Sequence, residues 1–432
     1  MIELKCVGHL AEYEITNVIN LFEPYTNKDY KLEAIFDSPV ATAILFEGDK
    51  EIFRAAFTVT VTEDELKNKK IMKQGLKKAV YKVLNLATGK EMPWGSLTGI
   101  RPTKLVHEQF KHNRSDEEIA RYMQEEYFVT SGKCDMMIKV AKAEREILAK
   151  NKPEEVSLYI GIPFCPTRCV YCSFTAYSLK VKGNLVDAYL EALCKEITAV
   201  AQMKKDATIR SLYIGGGTPT SLNEQQLECL LKHVAASFDL SQIEEYTIEA
   251  GRPDTITKDK LRIMKEQGVS RISINPQSMR QKTLDVIGRA HSAEDIKRVF
   301  NEARELGHTE INMDMILGLP GETVEDVAYT LEELGKLGPE NITVHTMAIK
   351  RASRLREELR ESEGNVILTQ GEVIQQMLNL CEEKMVQLGL EPYYMYRQKN
   401  MLGNFENVGY AKPGTECVYN IEIMEEKQSI ML

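Results

Sequence analysis

The sequence predicts an α/β protein organised around a parallel barrel or partial barrel, and three observations carry that prediction. Six short apolar segments, at 156–161, 211–215, 245–250, 270–275, 310–316 and 341–347, alternate with amphipathic stretches at 185–201, 225–236, 258–266, 293–306 and 324–337. That βα rhythm produces parallel strands joined by right-handed crossovers, and six units in a row are enough to curl the sheet. The third observation is where the unusual residues fall. Cysteines follow the first strand, glycines the second, Glu249 ends the third, Gln277 follows the fourth and Asp314 lies inside the fifth. Barrel chemistry collects at strand ends, and buried polar groups there need partners.

In chain order, residues 2–7, 31–37, 41–47 and 52–61 read as strands, with a helix at 11–21 between the first two, a small α+β unit. Residues 63–86 read as one long helix carrying Lys67, Lys69, Lys70, Lys73, Lys77, Lys78 and Lys82. This is a solvated face rather than a nucleic-acid surface, since nearby acidic residues offset the charge and Tyr81 alone is too little for base stacking. A turn-rich segment at 93–102 holds the only tryptophan, Trp94, and helices then run to about residue 150. The polar, proline-containing connector 151–155 marks the expected boundary. The expected domains are therefore 1–150, α+β and helical, without visible chemistry; 151–350, the barrel; and 351–432, a helical and strand extension whose last strand is 418–424. His9, His107 and His112 have no partners at metal-ligand spacing.

Composition narrows the classes further. The net charge of −9 argues against a primary role on nucleic acid or anionic membrane. Nine cysteines without a secretory signal fit a reducing cytoplasm rather than a disulfide framework, and no apolar run approaches a membrane span. The protein is expected to be cytoplasmic.

The chemistry centres on Gly161-Ile162-Pro163-Phe164-Cys165-Pro166-Thr167-Arg168-Cys169-Val170-Tyr171-Cys172. Three thiolates this close can hold one soft metal centre: zinc, copper(I) or iron-sulfur. A zinc site would need a fourth ligand at short spacing, and none follows; the next cysteine is Cys194 and the next histidine His233. Three ligands on a four-iron cluster leave one iron open, which suits a catalytic centre.

The C-x3-C-x2-C spacing resembles that of the radical S-adenosylmethionine (SAM) enzymes, whose open iron is chelated by SAM. The order of motifs narrows the resemblance. After the cysteines come Gly215-Gly216-Gly217-Thr218-Pro219, Gln277-Ser278, Gly288-Arg289-Ala290-His291 and Asp314-Met315-Ile316-Leu317-Gly318-Leu319-Pro320-Gly321. Together they resemble the oxygen-independent coproporphyrinogen III dehydrogenase family. The extra N-terminal domain, with Gly99-Ile100-Arg101-Pro102-Thr103-Lys104, looks most like the HemZ branch. The resemblance implies a radical SAM partial (β/α)6 barrel with an N-terminal α+β domain, a SAM-bound 4Fe-4S cluster and a second SAM. It implies that Cys165, Cys169 and Cys172 hold the cluster, that Tyr159 flanks the first SAM and Gly216 contacts it, and that Tyr171, Gly217 and Thr218 lie near the second. Glu249, Gln277, Arg289, Asp314 and Ala348 fall on further SAM contacts. The implied partners are a porphyrinogen or haem-like small molecule and a reductant protein such as flavodoxin or ferredoxin.

Two departures bear on function. Established oxidases of the family carry a fourth cysteine two positions after the third; here it is Phe174, as in relatives that resemble haem chaperones. The chain also stops at Leu432, before the family's glycine-rich segment and small C-terminal domain, so the extension is read as incomplete. Three functions follow from the resemblance: decarboxylation of coproporphyrinogen III propionates to vinyl groups, giving protoporphyrinogen IX; haem binding or delivery without turnover, with His345 or Cys417 as axial ligand; and methyl or alkyl transfer to a haem-like substrate.

Overall fold

Period-two patterning in the N-terminal segments builds a four-stranded sheet, β1 (Ile2–Val7), β2 (Tyr30–Asp37), β3 (Val40–Glu47) and β4 (Lys50–Thr58), in that order. β1 runs parallel to β2, and β2, β3 and β4 are antiparallel neighbours. The helix Glu12–Phe22 supplies the crossover a parallel pair requires and buries Ile15, Val18, Ile19 and Phe22. The helix Glu65–Thr88 lays Leu76, Ala79, Val80, Val83 and Leu84 on the same core. Asp64 caps it, accepting from the Leu66 and Lys67 amides at 2.9 and 3.1 Å. Its lysines line a solvated face as expected: Lys67, Lys69 and Lys70 are exposed, Lys73 pairs with Glu14, and Lys78 lies 3.1 Å from Glu126.

The computed structural model describes residues 2–99, 101–174, 176–348, 353–355, 371–397 and 405–431. Ile100 of the Gly99-to-Lys104 segment and parts of the expected 351–432 extension lie outside the described residues. The chain divides into two compact units, Met1–Ile138 and Lys139–Leu432. The division falls inside the helix Ser131–Leu148 rather than at the connector 151–155. The physical reason is that the helix's last turns belong to the core of the second unit, with Ile147 buried and Ala143 and Leu148 packed beside it against Tyr393, Tyr394, Val418 and Ile421.

The second unit contains β5 (Glu155–Ile162), the two-residue strands β6 (Phe164–Cys165) and β7 (Tyr177–Ser178), β8 (Thr208–Gly216), β9 (Glu245–Gly251), β10 (Arg271–Ile274), β11 (Glu310–Leu317), β12 (Asn341–Thr346), β13 (Glu391–Tyr396), β14 (Asn407–Ala411) and β15 (Ser429–Met431). The six expected strands are β5 and β8 to β12; they pair in chain order and all in parallel. The helices Val186–Met203, Glu224–Ser237, Lys258–Glu266, Ala293–Glu305 and Val324–Leu337 connect them. The sheet is open, a partial (β/α)6 barrel. β14 and β13 extend it antiparallel beyond β12, and β15 joins β5 in parallel at the other edge.

Alternation along these strands sets the two faces apart. Leu158, Ile160, Leu212, Ile214, Ile248, Ile272, Ile311, Met313 and Ile342 are fully buried. The intervening positions, Tyr159, Tyr213, Thr247, Glu249, Ser273, Asn312, Asp314, Thr343 and His345, line an internal cavity. Parallel strands covered on both sides are usually apolar throughout. Polar residues at every second position mark a face that meets a ligand space instead.

One element differs in type. Residues 418–424, expected as a strand, form the helix Val418–Glu425. Val418, Tyr419 and Ile421 favour a strand locally, but the Glu245 carboxylate at the start of β9 accepts from the Val418 and Tyr419 amides at 2.8 and 3.2 Å. An anion on the first turn stabilises a helix N-terminus. Glu422, fully buried on this helix, meets Arg210 at 2.8 Å and Asn151 at 3.0 Å. The terminal strand is β15, just beyond. Among the described residues no helix is long and apolar enough to cross a membrane.

Candidate active site

The inward faces of the six parallel strands line a cavity of about 750 Å³ that reaches the loops at their C-terminal ends. β6 and β7 pair in parallel and bracket the cysteine loop between them. Cys165 and Cys169 are buried, Cys172 is half-buried, all three carry free thiols, and all three line the cavity. Burial pushes the Cys165 and Cys172 thiols up; Cys172 and Cys169 add to it at Cys165, and Cys169 adds to it at Cys172. Three sulfurs gathered on one cavity wall are a donor set suited to a soft, cationic metal centre.

The glycine turn after β8 packs directly on this loop. The Gly217 amide donates to the Ile162 carbonyl and the Thr218 amide to the Phe164 carbonyl, both at 2.8 Å. Thr218 Oγ1 lies 3.3 Å from Cys165 Sγ. A Cβ at Gly217 would sit 2.7 Å from the Phe164 carbonyl oxygen and 2.9 Å from that of Ile162, while Gly216 holds φ at +106°. The glycines expected to admit a ligand therefore also admit the cysteine loop. Gly217→Ala is expected to lower stability by about 1–3 kcal/mol, an overpacking cost, and to reduce the iron retained on reconstitution. Denaturant melts with iron analysis check both.

Two carboxylates face the cavity with opposed electrostatics. Enclosure pushes Glu249 up to about 7, reinforced by Asp314 and opposed by the hydrogen bond from the Tyr213 hydroxyl. Enclosure also acts on Asp314, but His345 Nε2 at 3.7 Å and the Asn312 amide at 2.7 Å outweigh it and hold that carboxyl below its ordinary value. Thr343 fixes Asn312 in turn, donating at 3.0 Å to its carbonyl oxygen. One carboxyl is thus poised to exchange a proton near neutral pH while its neighbour stays ionised.

The other expected positions come to the same space. Gln277 adopts φ +67°, unusual for a residue with a side chain, and is held there by its amide donating to the Asp314 carbonyl at 2.9 Å and its carbonyl accepting from Ile316 at 3.0 Å. Its side-chain oxygen is buried without a hydrogen-bond partner, as is Thr247 Oγ1. Arg289 donates to the Asn275 carbonyl at 2.8 Å and the Tyr171 hydroxyl at 3.0 Å. Tyr159 stacks on Tyr213 and Tyr419, whose own rings are 4.5 Å apart. Cys165, Cys169, Cys172, Tyr159, Tyr171, Gly216, Gly217, Thr218, Glu249, Gln277, Arg289, Asp314 and Ala348 all line the one cavity. Unpaired polar atoms in an enclosed wall are what a polar ligand would satisfy, so the residues present fit SAM beside a cluster.

Sequence reading passed over Tyr213, Asn312 and Thr343, whose signal was their position two residues from Gly215, Asp314 and His345 on inward-facing strand positions. The two residues weighed as axial haem ligands are engaged elsewhere: His345 with Asp314, and Cys417, whose buried thiol donates to Glu245 at 3.2 Å and is pushed well up by burial.

Residues 159–334, which hold the three cysteines and the glycine turn, match the radical SAM superfamily. Over 394 residues the chain is 40% identical to the oxygen-independent coproporphyrinogen-III oxidase-like protein HemZ of Bacillus subtilis, covering 89% of this chain and 76% of that one. It is 31% identical over 273 residues to heme chaperone HemW of the same organism, with 63% and 68% covered. Among solved structures, coproporphyrinogen III oxidase (HemN) from Escherichia coli, a radical SAM enzyme, superposes with a TM-score of 0.52 at 27% identity, covering 64% of this chain and 59% of that one. The chain belongs to the radical SAM family of HemN, HemZ and HemW, and a 4Fe-4S cluster and SAM are the cofactors of this fold.

Proposed function

We propose that the protein is a radical SAM oxidoreductase acting on the propionate side chains of a porphyrinogen, as in the conversion of coproporphyrinogen III to protoporphyrinogen IX. The observation that carries this reading is the single cavity into which three cysteine thiols, the glycine turn and the Glu249–Asp314 pair all open. Cys165, Cys169 and Cys172 hold the cluster. Gly216, Gly217 and Thr218 shape the space beside it, and Glu249, Gln277, Arg289 and Asp314 position the hydroxyl and amino groups of SAM. When bound, these cofactors supply one-electron reduction and hydrogen-atom abstraction. In the net change, a –CH2–CH2–COO⁻ arm loses one hydrogen atom from its β-carbon, then carbon dioxide and one electron to an acceptor, leaving –CH=CH2. Tyr159, Tyr213 and Tyr419 wall the chamber and limit water near the reacting carbon. The electron donor is a small reductant protein such as flavodoxin or ferredoxin, and nine free thiols suit a reducing cytoplasm.

A second reading, a haem-binding chaperone-like role without turnover, is favoured by Phe174. It occupies the fourth-cysteine position, lines the cavity and is 71% exposed, so the rim presents an apolar ring where an oxidase has a thiol. Anaerobic reconstitution with reductant and SAM, with and without coproporphyrinogen III, separates the two by mass spectrometry. Loss of carbon dioxide and two hydrogens per propionate is the expected result. Stoichiometric haem binding with no such product would replace the dehydrogenase reading with the carrier one.

A further inference from the structure

Immediately after β9, Arg252 turns its side chain toward the cysteine loop. It is only 4% exposed, so its charge is weakly screened. Nη1 donates to the Thr167 carbonyl at 3.0 Å and the Thr167 hydroxyl at 2.9 Å, and it lies 3.9 Å from Cys169 Sγ. The opposite edge of the same guanidinium is taken by Asp254: Nε to Oδ1 at 2.9 Å and Nη2 to Oδ2 at 2.8 Å, a bidentate pair. Behind Asp254 lies His291, buried, with Nδ1 at 3.5 Å. Burial pushes His291 toward its neutral form, and the His291 contact and the Arg252 pair together hold the Asp254 carboxyl well below its ordinary value.

We propose that Arg252 sets the reduction potential of the cluster bound by the three cysteines, through the N–H it directs at the Cys169 sulfur, and that Asp254 attenuates it. This rests on the reading of Cys165, Cys169 and Cys172 as cluster ligands. Adding an electron raises the negative charge on the sulfurs, so a fixed cation and N–H donor beside one of them favours the reduced form. A carboxylate on the cation's far edge opposes that effect. The arrangement also holds Thr167 within the loop, so Arg252 is a positioning residue as well as an electrostatic one. The two roles differ in what they predict for Asp254.

The test uses the 432-residue chain, unaltered and as Arg252→Gln, Arg252→Lys and Asp254→Asn, each reconstituted anaerobically, assayed for iron and sulfide, and titrated with dithionite under electron paramagnetic resonance. Arg252→Gln should lower the one-electron reduction equilibrium constant at least about tenfold, a shift of about 59 mV downward. Asp254→Asn should move it upward, because the cation is no longer opposed, and Arg252→Lys should fall between the Gln variant and the unaltered chain. Opposite signs are not expected of a merely structural role. Shifts of the same sign, or no shift in either variant, overturn the inference. If Arg252→Gln retains no iron, Asp254→Asn decides alone: an upward shift sustains the proposal and any other result overturns it. An unaltered chain that takes up no iron overturns the cluster reading and this inference with it.

Discussion

Replacing any one of Cys165, Cys169 and Cys172 with alanine is expected to abolish the signal of the reduced cluster, the largest effect anticipated for any single substitution here. On the proposed reading each supplies one of the three thiolates in the loop that follows β5, and no other thiol is placed to take over. Cys194 lies on the helix Val186–Met203 and Cys229 on the helix Glu224–Ser237, outside the cavity lining. Cys417 does line the cavity, but its thiol is committed to Glu245, far along β9 from the glycine turn. Cys194→Ala and Cys229→Ala should therefore leave the signal unchanged. Iron and sulfide analysis with electron paramagnetic resonance of the reduced protein makes the comparison, and a cluster that survives Cys169→Ala would remove the assignment.

Asp314→Asn and Glu249→Gln should fold, keep the cluster and bind SAM at least about tenfold more weakly, a loss of about 1.4 kcal/mol. The amides keep shape and lose charge. The two differ in pH dependence. Glu249 is pushed from 4.5 up to about 7, so in the free protein it is largely protonated below that value. A ligand that prefers the carboxylate must expel the proton, which makes SAM binding strengthen as pH rises through about 7. Glu249→Gln should flatten that rise. Asp314 is held below its ordinary value and is ionised throughout this window, so Asp314→Asn should weaken binding while leaving the rise in place. Calorimetry across this pH range checks both; unchanged affinity in the two variants would return these carboxylates to a structural role.

Much of the barrel was legible because its signals are local. The helices at 258–266 and 324–337 were read to the residue, as Lys258–Glu266 and Val324–Leu337, since Thr257 and Thr323 cap them and their apolar stripes are regular. The strands were placed within a few residues at each end for a similar reason, each being a short apolar run bounded by turn residues. The cysteine loop was legible from spacing alone, because three soft ligands in so few residues have few other uses.

What a sequence window cannot contain is a partner far along the chain. The strand-like segment at 418–424 is a helix because Glu245, 173 residues from Val418, supplies an anion to its first turn. Arg252 carries no signal in its local sequence, and only folding brings it against Cys169, 83 positions earlier. Tyr213 became a partner of Glu249, 36 residues on, only when β8 and β9 paired. The sequence by itself determined the order of βα units, the spacing of the three cysteines and the positions of the special strand ends, because periodicity and spacing act over a few residues. The tertiary structure alone decided which carboxyl is pushed up and which is held down, which cation faces a sulfur and where the two units divide, because burial and charge proximity exist only once distant segments meet.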